Sequence, residues 1–514
     1  MTRSTPVCLA ALASLAAGAV LAQTPAAQTP PAEAPAPATV TVPPPAPGPP
    51  VDEPPPAPAT VAPPAPVKSA SLRPPDLFAA TTGPTGLSES LWQGSSADLA
   101  RTVLPLVAQK PLTLAGASFA HRLLVTGGQA PDGAGADADL AAARIGAVLA
   151  LGDPTGARIM LDRTPGVSAS PALSQVSAET QLVLGQPDQA CKVGDALTQG
   201  KDQPYFRRLR AFCLIRAGAV DEAQLAYDLA DAQAKDAIYK RLIGAALFGT
   251  APGAPSLRNG LDLALSQQLK LDLTPALDGA WAPILAVLSS DPAYPDAFRA
   301  AAAAARLKPY AYPDPPTIAA PVLIPLQAGD LKSARAARAQ IERNDAAGAT
   351  VLELALIDAA LTAAEGRADE AVMDQLVERG AAGEAPDRLR AQQAAALYAA
   401  LGAPMSGEAR AQFADFDLGR SSASQARLLE LDLATAVGDR ALLALWLAAD
   451  AGPGGPPPVE RARIARVLAQ AGFKANAQVF ALEGLIGLLS PPPEAAPAKA
   501  RAPAKRGPTR RRTP

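Results

Sequence analysis

One short pattern returns at a fixed interval in the first half of the chain: an apolar residue, a glycine, and an alanine five positions after the glycine. Its glycines are Gly152, Gly185 and Gly218, which are 33 and 33 residues apart. A glycine just after an apolar run suits the C′ position, where the chain takes the left-handed conformation that ends a helix. Polar residues follow each glycine and suit the first turn of the next helix. The interval therefore indicates a repeated helix hairpin.

A related pattern continues in the second half of the chain. Its glycines are Gly329, Gly366, Gly402 and Gly438, with spacings of 37, 36 and 36 residues. Aromatic residues make up only 4% of the chain, so the core must be built from alanine, leucine, valine and isoleucine. Alanine and leucine are strong helix formers and poor strand formers. The predicted fold is therefore all-α, an alpha-solenoid of antiparallel helix hairpins in two segments.

Composition and proline content divide the chain into six predicted parts. In order they are a signal peptide or membrane anchor (1–22), a Pro/Ala-rich disordered linker (23–75), a helical-repeat domain (76–308), a proline-rich seam (309–327), a second helical-repeat segment (328–490) and a basic disordered tail (491–514). The first amphipathic helix is predicted over 87–107, where Trp92 would cover the open end of the first repeat.

The N-terminal segment has a short cationic start, an apolar run and small residues before Gln23, which is typical of a secretory signal peptide. The alternative is an uncleaved anchor, since the apolar run approaches but falls short of the roughly 20 residues of a membrane span. Both interpretations place the body outside the cytoplasm, either periplasmic or secreted, or anchored in the inner membrane and facing the periplasm. The linker that follows is either a stalk that presents a binding tract or a plain disordered spacer.

A disulfide is predicted between Cys191 and Cys213. The two cysteines lie at equal distances in sequence from Asp202, the centre of a predicted turn between two antiparallel helices. Equal distances from the turn place residues at the same height in a hairpin, within reach of a bridge. In an oxidising compartment the pair would form a disulfide, and the alternative is two separately buried thiols.

The sequence contains no recognisable catalytic, metal-binding or cofactor-binding constellation. His121 is the only histidine in the chain, and we interpret it as a helical histidine with an ordinary partner or with solvent around it. The glycine-rich loop 126–137 does not follow a strand and open a helix, so phosphate binding is not predicted. Acidic pairs such as Asp221 and Glu222 suit the first turn of a repeat helix, where the helix dipole favours them. No cofactor is expected, and the protein is predicted not to be an enzyme.

The C-terminal tail is basic and contains no aromatic residue. Its cationic residues are Lys499, Arg501, Lys505, Arg506, Arg510, Arg511 and Arg512. Such a tail can bind a polyanion by releasing counterions. Outside the cytoplasm the expected anions are lipid headgroups or acidic envelope polymers. Nucleic acid is disfavoured as a partner, since no aromatic side chain is present to stack on bases.

Two resemblances add to this interpretation. The segment 214–230 (LIRAGAVDEAQLAYDLA) resembles the middle of a tetratricopeptide repeat, with its small and aromatic residues at corresponding places, although the signature of a regular first helix is missing. The order of hydrophobic segment, proline-rich stretch and helical-repeat body is similar to the bitopic proteins that mark the flagellar pole in alphaproteobacteria. We expect an exported scaffold that binds a protein partner in the bacterial cell envelope. The alternatives are a membrane-anchored factor for polar flagellum placement and a polysaccharide-processing enzyme on a helical scaffold.

Overall fold

The fold is all-α, as predicted. The computed structural model describes residues 75–310, 318–345, 348 and 351–489. These residues form twenty-two α-helices and no β-strand, and consecutive helices pack against one another as hairpins of a helical solenoid. The predicted signal segment, the basic tail and nearly all of the proline-rich linker lie outside the described residues, as does part of the predicted seam.

Twelve helices precede the seam. They are α1 (Ala97–Gln109), α2 (Leu114–Leu124), α3 (Ala138–Ala150), α4 (Pro154–Asp162), α5 (Pro171–Val183), α6 (Pro187–Ala196), α7 (Pro204–Arg216), α8 (Val220–Gln233), α9 (Ala237–Phe248), α10 (Gly260–Gln268), α11 (Ala282–Leu288) and α12 (Asp296–Leu307).

Ten described helices follow α12. They are α13 (Ala320–Gln327), α14 (Leu331–Asn344), α15 (Val351–Ala364), α16 (Glu370–Ala382), α17 (Asp387–Ala400), α18 (Gly407–Ala414), α19 (Gln425–Leu433), α20 (Val437–Ala451), α21 (Pro458–Gln470) and α22 (Lys474–Leu489).

The turn at Gly152 shows how the repeated pattern makes a hairpin. Gly152 ends α3 with a φ of 91°, in the left-handed region that an alanine would adopt only with strain. Asp153 then caps α4 by accepting a hydrogen bond from the Gly156 backbone N–H, and Pro154 is the first helical residue. The other glycines with positive φ at the predicted positions are Gly185, Gly218, Gly329, Gly366 and Gly402.

Gly438 is a correction to the predicted series. It lies inside the first turn of α20 and does not end a helix. A Cβ atom at this position would come within 2.2 Å of the Ser95 hydroxyl and 3.0 Å of the Leu91 carbonyl oxygen. The residue is therefore small because the chain before α1 packs directly on the start of α20. The spacing of glycines in the sequence does not distinguish such a contact from a turn.

The first helix begins later than predicted. Residues 87–96 form turns, and α1 starts after Ser96, whose side chain accepts a hydrogen bond from the Leu99 backbone N–H. Ser96 is a favourable capping residue because its hydroxyl pairs with an N–H group that has no partner inside the helix. Trp92 is fully buried in the preceding turns and packs edge-to-face against Phe78, with ring centroids 6.0 Å apart.

The predicted disulfide is confirmed. Cys191 on α6 and Cys213 on α7 form a bridge with their Cα atoms 5.7 Å apart. The two helices are consecutive and pack on each other, so the bridge links the two arms of one hairpin. It lies beside the buried residues Leu209 and Phe212 in a cluster formed by helices α5 to α10.

The largest hydrophobic cluster takes its residues from both ends of the helical body. One part comes from residues 77–173 and the other from residues 428–481. Phe119 on α2 packs edge-to-face against Phe473 and Phe480, at 5.3 and 6.2 Å between ring centroids. Helices α1 and α2 thus pack on α20 and α22, and the core crosses the predicted division between the two repeat segments.

Helix α22 lies at the centre of this arrangement. It is apolar on all sides because it contacts α2, α15, α17 and α21. With 16 residues it is the longest of the described helices. None of the described helices combines the length and the apolar character that a membrane crossing requires.

Candidate functional site

His121 has an ordinary structural partner. Its Nε2 atom lies 2.8 Å from the Asp153 carboxylate, whose other oxygen accepts the hydrogen bond that caps α4. Burial disfavours the charge on Asp153, but the hydrogen bonds from His121 and Gly156 outweigh it and lower the pKa of this carboxyl. The histidine therefore supports a helix turn. No group of three or more potential metal ligands occurs in the described part of the chain.

The glycine-rich loop 126–137 borders a cavity of about 970 Å³, but several of its N–H groups already donate to the protein. The Gly128 N–H donates to the Phe78 carbonyl, and the Gln129 N–H donates to the Glu89 carbonyl. A phosphate cradle needs free N–H groups that point at the anion. The loop instead pairs with the chain that precedes α1.

Helix α8 exposes a row of leucines. Leu225 and Leu229 are 62% and 46% exposed, and their spacing of four residues places them on one face of the helix. The opposite face of α8 is buried through Ala223, Tyr227 and Ala230. Leu225 and Leu229 therefore do not contribute to the core of the solenoid. Large aliphatic side chains that are exposed next to each other are typical of interaction surfaces.

Exposed carboxylates border these leucines. Asp221 and Glu222 lie in the first turn of α8, and Asp228 lies beside Leu229. None of the three forms an ion pair with another residue that the structure describes. We call this surface, formed by Leu225, Leu229, Asp221, Glu222 and Asp228, the α8 leucine face.

Helix α19 carries a second exposed leucine pair with a different border. Leu429 and Leu433 are 58% and 63% exposed and are also four residues apart. The nearby Asp432 is bound by Arg463 at 3.3 Å and by Arg466 at 3.2 Å. The exposed Glu430 has no ion-pair partner among the described residues, so one unpaired carboxylate borders this pair, whereas three border the leucines of α8.

A polar cavity lies between the ends of five helices in the first half of the molecule. It measures about 540 Å³, which is within the range of small-molecule sites. The residues that matter for its chemistry are Glu179 on α5, Tyr205 and Arg208 on α7, Asp236 before α9, Asp262 on α10 and Trp281 before α11. We call this cavity the Glu179 pocket.

Both aspartates of the pocket are held by arginines. Asp236 caps α9 and binds Arg258 at 3.1 Å and Arg208 at 3.5 Å. Asp262 binds the Arg258 guanidinium at 2.7 Å and also accepts from the Ser256 hydroxyl. Burial opposes the charge on Asp236, but its hydrogen bonds and the arginines lower its pKa. Each aspartate is therefore held in place by an arginine as part of the scaffold.

Glu179 has no such cation. One carboxyl oxygen accepts the Gly260 backbone N–H at 2.6 Å, while Oε1 is buried without a hydrogen-bond partner. The Tyr205 hydroxyl lies close enough to this carboxyl to lower its pKa, but neither Oε1 nor the Tyr205 hydroxyl has a hydrogen bond of good geometry to another described residue. Burial raises the pKa of Glu179 to about 7. Gly260 permits this approach, because a Cβ there would come within 2.9 Å of the Glu179 carbonyl oxygen.

A second buried glutamate, Glu460 on α21, is used differently. It is 1% exposed, and its Oε1 atom accepts hydrogen bonds from both hydroxyls of Ser421 and Ser422 and from the Ser422 and Ala423 backbone N–H groups. These donors belong to the loop between α18 and α19. Glu460 therefore fastens that loop to α21.

Sequence reasoning missed Glu179 although a signal was present. The residue stands on the apolar stripe of α5, four positions before the buried Val183. A glutamate among buried positions must be paired or have its charge suppressed, and such groups cluster at functional sites. The residues that complete the pocket lie up to 102 positions further along, since the last is Trp281, and the sequence alone does not bring them together.

No known protein family, curated protein or solved structure matches this chain. The function must therefore be argued from the geometry of these surfaces.

Proposed function

We propose that this protein is an exported, non-enzymatic scaffold that binds a protein partner through the α8 leucine face. The observation that carries the proposal is that two exposed leucines lie beside three carboxylates that form no ion pair with another described residue. A partner helix with apolar anchors three or four residues apart and basic flanking residues complements this surface.

The location outside the cytoplasm is supported by two independent features. The N-terminal segment has the sequence of a signal peptide or anchor. The bridge between Cys191 and Cys213 is the kind of cross-link that persists in oxidising compartments. We therefore place the protein in the periplasm or outside the cell, with inner-membrane anchoring as the alternative.

The finer assignments stay predictions. The tetratricopeptide-like character rests on the spacing of glycines and small residues in the repeats. The polar flagellum alternative rests on the order of segments in the sequence. The polysaccharide enzyme would need two carboxylates that can act as acid and base. In the Glu179 pocket both aspartates are bound by arginines, so this geometry favours binding over hydrolysis.

The test uses the tagged full-length protein expressed in a bacterial host and isolated from an envelope extract. We expect the wild-type protein to recover a polypeptide partner in stoichiometric amount. The double substitution Leu225→Ser and Leu229→Ser should weaken recovery about a hundredfold, since burying two leucines contributes roughly 3 kcal/mol. Fractionation of the same cells shows whether the protein is cleaved, anchored or cytosolic.

The matched control is Leu429→Ser with Leu433→Ser on α19. These leucines are similarly exposed and have the same spacing, but Asp432 beside them is bound by arginines and only Glu430 is left without an ion pair among the described residues. Both double variants should keep the thermal stability of the wild type within about 0.5 kcal/mol, because the leucines face solvent. Equal recovery of the partner by the α8 variant and the wild type would refute the assignment of this surface.

A further inference from the structure

The charges around the Glu179 pocket are not balanced. Two arginines, Arg208 and Arg258, serve the two aspartates, Asp236 and Asp262. Glu179 is the third carboxyl that lines the cavity, and no cation is assigned to it. A buried carboxylate without a cation is costly, so a positively charged ligand is the partner that this site lacks.

We propose that the Glu179 pocket binds a primary ammonium group carried on an alkyl stem. The ammonium would donate hydrogen bonds to Glu179 Oε1 and to the Tyr205 hydroxyl oxygen, two buried atoms that have no hydrogen bond of good geometry to another described residue. Such a group comes either from a lysine side chain of a polypeptide or from a small free amine. The proposal is independent of the α8 leucine face.

The walls of the cavity fit this ligand. Trp281 is one of the residues that line the cavity, and an aromatic side chain there can contact an alkyl stem or a cation. The face of Tyr239 is not available, because Arg208 lies over that ring at 5.4 Å and the tyrosine hydroxyl donates to the Arg208 carbonyl. Recognition would therefore depend on Glu179, Tyr205 and Trp281.

Ligand binding should depend on pH. The groups that act on Glu179 from neighbouring helices are Tyr205 on α7 and Asp262 on α10, while Arg208 and Asp236 border the same cavity. An alkylammonium stays charged below about pH 10, so Glu179 is the group that titrates. Burial raises the pKa of Glu179 to about 7. The affinity should then rise with pH and level off above neutrality, as Glu179 loses its proton.

The experiment is isothermal titration calorimetry on the full-length protein with n-butylamine and with Nα-acetyl-lysine amide. For at least one of the two ligands we expect an affinity about tenfold lower at about pH 6 than at about pH 8, with a proton released on binding at the lower pH. Stronger binding of the lysine derivative indicates a polypeptide lysine as the natural ligand, and equal or stronger binding of n-butylamine indicates a small amine. The neutral analogues n-butanol and Nε-acetyl-lysine amide should bind at least tenfold more weakly.

Two variants test the assignment of residues. Glu179→Gln keeps the shape of the side chain but cannot ionise, so it should weaken amine binding at least tenfold at about pH 8 and remove its pH dependence. Tyr205→Phe keeps the carboxylate and removes a group that lowers the pKa of Glu179, so the pH midpoint should move upward. Glu460→Gln lies outside the pocket and should change neither quantity.

Several results would overturn the proposal. One is no detectable binding of either amine at either pH. Another is binding of n-butanol as tight as that of n-butylamine, which would indicate an apolar cavity without charge recognition. If Glu179→Gln does not fold, as judged by its circular dichroism spectrum, Tyr205→Phe takes its place, and an unchanged pH midpoint in that variant would equally refute the role of Glu179.

Discussion

Glu179 and Glu460 are both buried glutamates that border cavities, yet they have opposite roles. Glu460 receives four hydrogen bonds on one oxygen from a single loop, so its charge is spread over fixed donors. Each glutamate leaves its other carboxyl oxygen without a hydrogen-bond partner among the described residues, but the paired oxygen of Glu179 receives only the Gly260 N–H. The number of local donors decides whether a buried carboxylate holds the fold together or is available to a ligand.

The two regions also differ in how they are built. The donors for Glu460 lie within 40 residues of it in sequence and belong to one loop. The surroundings of Glu179 come from the ends of five helices, which the disulfide hairpin α6–α7 helps to hold. A site assembled from separate helix ends keeps its geometry only if those helices are held in place. A cross-link therefore stabilises the Glu179 pocket more than it would stabilise the Glu460 loop.

The largest effect is expected for Glu460→Ala. The substitution removes the four hydrogen bonds that the loop donates to Glu460, at about 1 kcal/mol each, so it should cost roughly 4 kcal/mol. Urea unfolding of the full-length protein measures the loss. Glu460→Gln keeps one acceptor oxygen and should lose less than half as much. A loss below about 1 kcal/mol in the alanine variant would mean that the loop does not depend on Glu460.

A smaller effect is expected from removing the disulfide. Serine at both Cys191 and Cys213 frees a loop of 22 residues in the unfolded chain and should lower the free energy of unfolding by about 3 kcal/mol. Hydrogen exchange should accelerate in α6 to α8 and stay unchanged in α16 to α21, around Glu460. Uniform acceleration in both regions would contradict the idea that the bridge stabilises the Glu179 side alone.

The smallest effect is the dependence of stability on the charge of Glu179. Its pKa is raised from 4.5 to about 7, so between these values the folded protein keeps a proton that the unfolded chain has lost. Stability should therefore fall as pH rises, by about 2 kcal/mol between roughly pH 5.5 and pH 7.5. Paired urea titrations at both pH values should show this fall in the wild type relative to Glu179→Gln. A constant difference between the two proteins would contradict the raised pKa.

Local rules explain why much of the fold could be predicted from the sequence. A glycine after an apolar run and a polar first turn after it define a hairpin within about ten residues, and the turns at Gly152 and Gly366 follow this rule. The bridge between Cys191 and Cys213 also depends on one hairpin. The prediction that Gly438 ends a helix is wrong, because a glycine at a helix contact can fall at the same interval in the sequence as a glycine in a turn.

The candidate sites depend on contacts that local rules do not contain. Gly260 and Glu179 are 81 residues apart in sequence, and their hydrogen bond forms because α10 packs on α5. The exposed row of Leu225 and Leu229 could not be separated from core leucines, because the sequence does not show which face of α8 lacks a neighbour. Periodicity predicts helices, whereas the order in which they stack decides which polar and apolar groups stay unpaired.

The core shared by the first and last described helices has a consequence for folding during synthesis. Phe119 on α2 completes its packing against Phe473 and Phe480, which the ribosome adds about 350 residues later. Contacts so distant in sequence make folding slow compared with an ordinary solenoid, whose units complete themselves in order. The leading helices must therefore stay incompletely folded, with apolar surface open to chaperones, until the C-terminal hairpin arrives.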